Sequence, residues 1–203
     1  MNKIHTLQKL EKEKLVAVIR GETSEEAQKI SEGAYAGGIK IMEITYTVPN
    51  ASQLIEKLSA DQERDWVIGA GTVLDEVTAR MAILAGAEFI VAPNFNLDVA
   101  KLCNRYQIPY IPGCYTVNEV VQAMEAGADI IKIFPGNTIS PAGIKAIKGP
   151  LPQANIMPSG GVSADNLNEW LEKGAVAVSI GGSLYKENFE DIKAAAEELV
   201  QKL

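Results

Sequence analysis

The sequence predicts an α/β protein, a (β/α)8 TIM barrel with a short N-terminal helix, and three observations carry that prediction. After a leading helix, eight strand–helix units follow in strict alternation, the order that buries a parallel sheet under helices. The strands are apolar throughout rather than at every second residue, as strands covered on both faces are. Small-Gly-small triplets at 36–38, 85–87, 126–128 and 173–175 end alternate helices, and this fourfold recurrence suits a closed barrel better than an open sheet.

The elements follow in order. Residues 2–13 read as an amphipathic helix with Leu7 and Leu10 three apart, and LVAVIRG (15–21) as a buried strand ending in Arg20. Ser24, with Glu25 and Glu26 behind it, starts a helix with acid in its first turn. IKIMEIT (39–45) is a strand with Glu43 inside it, and Asn50 opens a helix over 50–60. VIGAGTV (67–73) is the third strand, and Asp75 opens its helix. FIVAPN (89–94) with a helix over 97–106, and IPYIPG (108–113) with a helix capped by Thr116, make the next two units. The sixth strand lies in ADIIKIFPG (128–136), an Ile-rich run closed by Pro-Gly, with a helix within 140–148. NIMPSGG (155–161) with a helix capped by Ser163, and AVSIGGS (177–183) with a helix over 188–202, complete the chain. No Pro/Ser-rich break marks a boundary, so residues 1–203 read as one barrel domain at the short end of that fold.

Composition excludes several classes. The net charge of −7 comes without a basic stripe, which argues against a nucleic-acid partner. The polar N-terminus does not resemble a signal peptide and no apolar run approaches ~18 residues, so neither a membrane span nor export is expected and the cytoplasm is. Cys103 and Cys114 lack metal-type spacing, and the single histidine, His5, reads as an exposed residue of the leading helix. Histidine triads and multi-histidine metal sites are therefore not expected.

Lys132 lies between Ile131 and Ile133 in the sixth strand. Lysine is almost never fully buried without a partner or a task, and burial in general favours the neutral amine, the nucleophile that attacks carbonyls. The pattern therefore predicts a Schiff-base lysine, with a snorkelling lysine as the plain alternative. Parity puts Lys132 on the face of Ile130 and Phe134 but leaves open whether that face is the barrel interior or the helix layer. Glu43, on the face of Ile39, Ile41 and Thr45, is costly inside a strand unless paired, and it suits either an ion pair with Lys132 or the proton shuttle that imine chemistry needs. Arg20, on the face of Val16 and Val18, suits capture of a carboxylate or phosphate, or a plain rim salt bridge. Gly160-Gly161 and Gly181-Gly182-Ser183 follow strands seven and eight, where backbone N–H groups of a barrel often hold phosphate. Lys40, at the start of its strand, reads as structural. The Gly-Ala-Gly at 69–71 lacks the third glycine of a dinucleotide fingerprint.

With these residues in view, EITYTVPNA (43–51), GAGTV (69–73), IPGCYTVNE (111–119), IKIFPG (131–136), PSGG (158–161) and IGGSL (180–184) together resemble the 2-keto-3-deoxy-6-phosphogluconate aldolases, which include bifunctional enzymes acting on 4-hydroxy-2-oxoglutarate. The resemblance implies a (β/α)8 barrel, a homotrimer, and class I aldol chemistry without metal or cofactor. It implies Lys132 as the Schiff-base residue, Glu43 as general acid/base, and Thr72 and Arg20 at the pyruvyl carboxylate. It puts Gly160, Gly161, Gly182 and Ser183 at the phosphate end. Two positions depart from the family pattern. Thr47 stands where some members carry arginine, which shifts carboxylate duty toward Arg20. Ser159 replaces the threonine of many members and keeps its hydroxyl. The implied reaction cleaves 2-dehydro-3-deoxy-6-phosphogluconate to pyruvate and glyceraldehyde 3-phosphate. The galactonate epimer and 4-hydroxy-2-oxoglutarate are alternative substrates. A phosphate-binding isomerase or epimerase, or a non-catalytic assembly scaffold, are the readings of other classes.

Overall fold

The computed structural model describes residues 3–203. Helix α1 (Lys3–Glu13) leads into β1 (Leu15–Ile19), α2 (Ser24–Ala36), β2 (Ile41–Thr45), α3 (Ala51–Ser59), β3 (Val67–Gly71) and α4 (Glu76–Leu84). Then come β4 (Ile90–Val91), α5 (Leu97–Tyr106), β5 (Tyr110–Ile111), β6 (Gly113–Cys114), α6 (Val117–Glu125) and β7 (Ile131–Ile133). Helix α7 (Ser140–Lys148), β8 (Ile156–Pro158), α8 (Leu167–Glu172), β9 (Val178–Ile180) and α9 (Phe189–Val200) close the sequence. Position 2 of the expected first helix lies outside the described residues.

All strand pairs are parallel and fall into two sheets, one of six strands in the order β5-β4-β3-β2-β1-β9 and one of three in the order β6-β7-β8. The fifth predicted strand is thus two, because Pro112 sits in its middle and has no N–H for a ladder. Its neighbours pair on different sheets: Ile111 with Val91 and Gly113 with Lys132. Single bridges at Ser159↔Ser179 and Ile156↔Ala175 join the β8 segment to the β9 segment.

Helix α2 begins at Ser24 with Glu25 and Glu26 in its first turn, as expected, and Thr23 caps it, its side chain accepting from Glu26 N at 3.1 Å. Two other helix starts differ from expectation. Asn50 precedes α3 in a left-handed conformation and makes no side-chain cap. Ser163 does not cap α8: it lies in the preceding turn, where its own N–H donates to Asn166 Oδ1 at 2.9 Å. Asp75 and Thr116 cap α4 and α6 as predicted, Thr116 in a reciprocal capping box with Glu119. The recurring helix-ending glycines share one conformation. Gly38, Gly86, Gly127 and Gly174 have φ between +88° and +101°, a region closed to most side chains.

Burial separates the two faces of the strands. The larger core packs strand residues such as Met42, Ile44, Ile131 and Ile133 against helix residues including Ile30, Ile55, Ile144 and Trp170. A second core holds Val16, Ile41, Val67, Phe89, Ile130 and Met157 together with Leu10 of α1. Most of these residues lie at or near the starts of their strands, so α1 covers that end. Leu10 is fully buried, which is worth about 1.5–3 kcal/mol relative to exposure. Lys132 alternates with Ile131 and Ile133 and therefore faces away from the helices, on the side of Ile130. Glu43 shares that side with Ile41. Ile39 does not share it: it precedes β2 and packs into the helix-side core.

Candidate active site

The two charged strand residues meet. Lys132 Nζ lies 3.6 Å from Glu43 Oε1, and the side chains are only 7% and 1% exposed. Lys132 is held between Gly113 on β6 and Met157 on β8, and Glu43 between Val18 on β1 and Gly69 on β3. A side chain at Gly71 would run into Glu43 Oε1 and Cγ, so that glycine makes the space the carboxylate occupies. The separation exceeds a direct hydrogen bond, and Glu43 Oε2 is buried without a hydrogen-bond partner among the described residues. A buried unpaired oxygen beside an amine is costly for stability alone, and such groups cluster at functional sites. Lys132 Nζ also stands 5.3 Å from the centre of the Phe134 ring.

Arg20 and Thr47 line one cavity of about 430 Å³ with Gly21, Glu22, Glu26 and Tyr185. Arg20 follows β1 instead of ending it inside the strand, and it is exposed. Thr47 Oγ1 lies 2.7 Å from Thr45 Oγ1, which itself lies 3.0 Å from the Ile19 carbonyl. Thr72 follows β3 with φ +58°, a strained conformation for a β-branched residue, costing on the order of 1–3 kcal/mol.

The glycine pairs come together as predicted. Gly160, Gly161, Gly181, Gly182 and Ser183 line a single cavity of about 330 Å³. Gly160 and Gly161 have φ +92° and +77°, and a Cβ on Gly182 would meet nothing within 4 Å, so its backbone faces open space. Ser159 is buried with its Oγ 3.2 Å from Ser179 Oγ. The sequence reading missed Ser179 and Tyr185. Ser179 is one small polar residue in an apolar strand, the same signal that marks Lys132 and Glu43. Tyr185 carries no such signal, since an aromatic residue after a glycine turn usually packs.

Cys114 adjoins Gly113, beside the lysine, but burial pushes its thiol up to about 12, and that of Cys103 likewise to about 12. Neither is a usable nucleophile near neutral pH. His5 is exposed as predicted. Lys40 lies with its ammonium 4.2 Å from the centre of the Tyr35 ring, a structural role.

Parallel strands flanked by helices, with a buried amine–carboxylate pair on the strand face away from the larger core, put the chain in the class of α/β enzymes. The family model described as KDPG and KHG aldolase matches residues 6–201, and the chain belongs to that aldolase family. It is 34% identical to the 2-dehydro-3-deoxy-6-phosphogalactonate aldolase of Escherichia coli (strain K12) over 173 residues, 85% of this chain and 84% of the relative. Among solved structures, a native KDPGal structure superposes with TM-score 0.87 at 31% identity, covering 93% of each chain. The KDPG aldolase of Legionella pneumophila, with pyruvate captured at low pH as a covalent carbinolamine intermediate, superposes with TM-score 0.82 at 29% identity, covering 92% of this chain and 93% of that one.

Proposed function

We propose that this aldolase works by class I chemistry at Lys132, cleaving a phosphorylated 2-keto-3-deoxy sugar acid to pyruvate and glyceraldehyde 3-phosphate. The observation that carries the reading is the buried Lys132–Glu43 pair at 3.6 Å, with one glutamate oxygen left unpartnered among the described residues. The covalent carbinolamine of the Legionella relative supports an amine nucleophile.

The lone pair of Lys132 Nζ attacks the C2 ketone and forms a carbinolamine. Glu43 delivers the proton with which the hydroxyl leaves as water, giving an imine. The protonated imine draws the electron pair of the C3–C4 bond as Glu43 takes the C4 hydroxyl proton. Glyceraldehyde 3-phosphate departs, and the remaining enamine is protonated at C3 and hydrolysed to pyruvate. The lysine is the electron sink, so the chemistry requires no cofactor. Arg20, with the Thr72 backbone and hydroxyl, receives the carboxylate, and Thr47 contributes the hydroxyl that faces the same cavity. Gly160, Gly161, Gly181, Gly182 and Ser183 receive the phosphate, which backbone N–H groups can hold where no side chains intervene. Ser159, next to Gly160 and 3.2 Å from Ser179 Oγ, offers its hydroxyl to the substrate.

The gluconate and galactonate epimers differ at one stereocentre, and relatives named for both match this chain closely. We put the gluconate phosphate first, with the galactonate epimer and 4-hydroxy-2-oxoglutarate as rival substrates. Pyruvate plus borohydride is expected to leave a reduced adduct on the Lys132 peptide, read by mass. No adduct there rejects the class I mechanism and favours an isomerase, epimerase or scaffold. Cleavage rates on the three substrates then rank them.

The rest of the chain fits this reading. The two sheets are arcs of one (β/α)8 barrel, with residues 1–203 as its single domain. Pro112 interrupts one continuous segment between β5 and β6, and the Ser159↔Ser179 bridge spans the other junction. An experimental structure in which those serines are parted would undo the barrel. Leu74, Val77, Met81 and Leu84 form an exposed apolar stripe on and before α4, as a homotrimer contact would. A sedimentation mass of a monomer would reject the trimer. No helix of the described residues is long and apolar enough to cross a membrane. Two buried free cysteines suit the cytoplasm, which fractionation of cells tests.

A further inference from the structure

Two buried hydroxyls stand on the strand face that carries Lys132 and Glu43. In β9, Val178 and Ile180 pack into the helix-side core, so Ser179 between them faces the other way. Ser159 comes two residues after Met157 of the second core, and its N–H continues the ladder to the Ile133 carbonyl at 3.0 Å. The two serines are 5% and 1% exposed, and their Oγ atoms lie 3.2 Å apart. Each hydroxyl has one proton to give and two lone pairs to accept with. The bond between them uses one of the two protons, and neither side chain makes another hydrogen bond among the described residues. One proton is therefore left over. Ser179 is part of the wall of the glycine cavity and Ser159 is not. The spare proton reaches that cavity when Ser159 donates and Ser179 accepts. Among the described residues no lysine or arginine stands in the wall, so an anion there is held by neutral donors alone.

We propose that Ser179 is a further binding residue for the substrate phosphate, donating its hydroxyl proton to a phosphate oxygen while it accepts from Ser159. The proposal rests on the assignment of the glycine cavity to the phosphate. A phosphate presents acceptor oxygens, which a spare O–H matches, and a hydrogen bond to a charged group is stronger than one between neutral groups. A hydroxyl that already accepts one bond is polarised by it and donates the next one more strongly. Ser159 keeps its lone pairs, so it stays open to a hydroxyl of the substrate at the same time. Ser179 then contributes to a preference for phosphorylated substrates over 4-hydroxy-2-oxoglutarate, which has no phosphate.

The test is calorimetry on the full chain with inorganic phosphate as probe and pyruvate as the control. Ser179→Ala removes the donor and keeps the strand backbone. Its phosphate Kd is expected to rise about tenfold, the size of one lost hydrogen bond to a charged group, with the pyruvate Kd little moved. Ser159→Ala leaves Ser179 its proton and is expected to cost less. Gly182→Asp puts a carboxylate into the open space of the cavity and is expected to abolish phosphate binding, which locates the anion there. Should Ser179→Ala fail to fold, Ser179→Cys takes its place, with similar volume and only a weak donor. Wild-type phosphate affinity in Ser179→Ala, an equal loss of phosphate and pyruvate affinity, or a larger loss in Ser159→Ala overturns the proposal and leaves the cavity assignment standing. Phosphate binding that survives Gly182→Asp, or a wild-type protein that binds no phosphate, overturns both.

Discussion

Lys132→Arg is expected to abolish aldol cleavage, a loss of at least about 10⁴-fold, the scale seen when a covalent nucleophile is removed. Arginine keeps the positive charge beside Glu43 but remains protonated at any working pH, so it cannot attack a ketone. The substitution therefore separates the charge from the chemistry. Lys132→Met asks a different question. It leaves Glu43 buried and unpaired, which costs about 3–5 kcal/mol in comparable buried pairs. Urea unfolding should show that loss, and Lys132→Met/Glu43→Gln should recover much of it. Cleavage by Lys132→Arg above one-hundredth of the wild-type rate would reject the lysine as nucleophile.

Glu43→Gln should reduce kcat by about 10²–10⁴-fold, the usual contribution of a positioned acid/base. The amide has nearly the volume of the carboxylate, so it fits the space that Gly71 leaves. The fold and the strand register around β2 should persist. Because the lost step is proton transfer, kcat should fall with KM little changed, and pyruvate should still bind. Borohydride trapping should slow, since carbinolamine dehydration also needs the proton. Turnover at the wild-type rate would remove Glu43 from the reaction and leave it as the structural partner of Lys132.

The site and the fold were legible in the sequence to different depths. Lys132 and Glu43 stand out because a charged residue in an apolar strand is expensive, and the structure brings the two together. Parity alone could not choose the face of Lys132. That choice depends on which of its neighbours meet helices, and Ile131 and Ile133 do. The alternation of strands and helices was legible because its periodicity spans many residues. The break at Pro112 was visible as a residue type, but its effect depends on which neighbouring strands take Ile111 and Gly113. The start of α8 was placed at Ser163, three residues before the N-cap position Asn166, because hydroxyl and acidic residues run up to that helix and only local backbone geometry selects where it begins. Tyr185 was missed for a related reason. Its hydroxyl meets the Val18 carbonyl, far away in the chain, and nothing local in the sequence signals that contact.

Gly71 has a consequence for how variation in this chain is read. It offers no functional group, and any side chain there would take the volume of the Glu43 carboxylate. A survey of inactivating substitutions would flag position 71 beside Lys132 and invite a chemical explanation. The explanation is steric: alanine, among the smallest changes the genetic code permits there, already runs into the Glu43 carboxylate. Tolerance at position 71 would therefore be restored only by a partner change that shortens the acid, so positions 43 and 71 vary, if at all, as a pair.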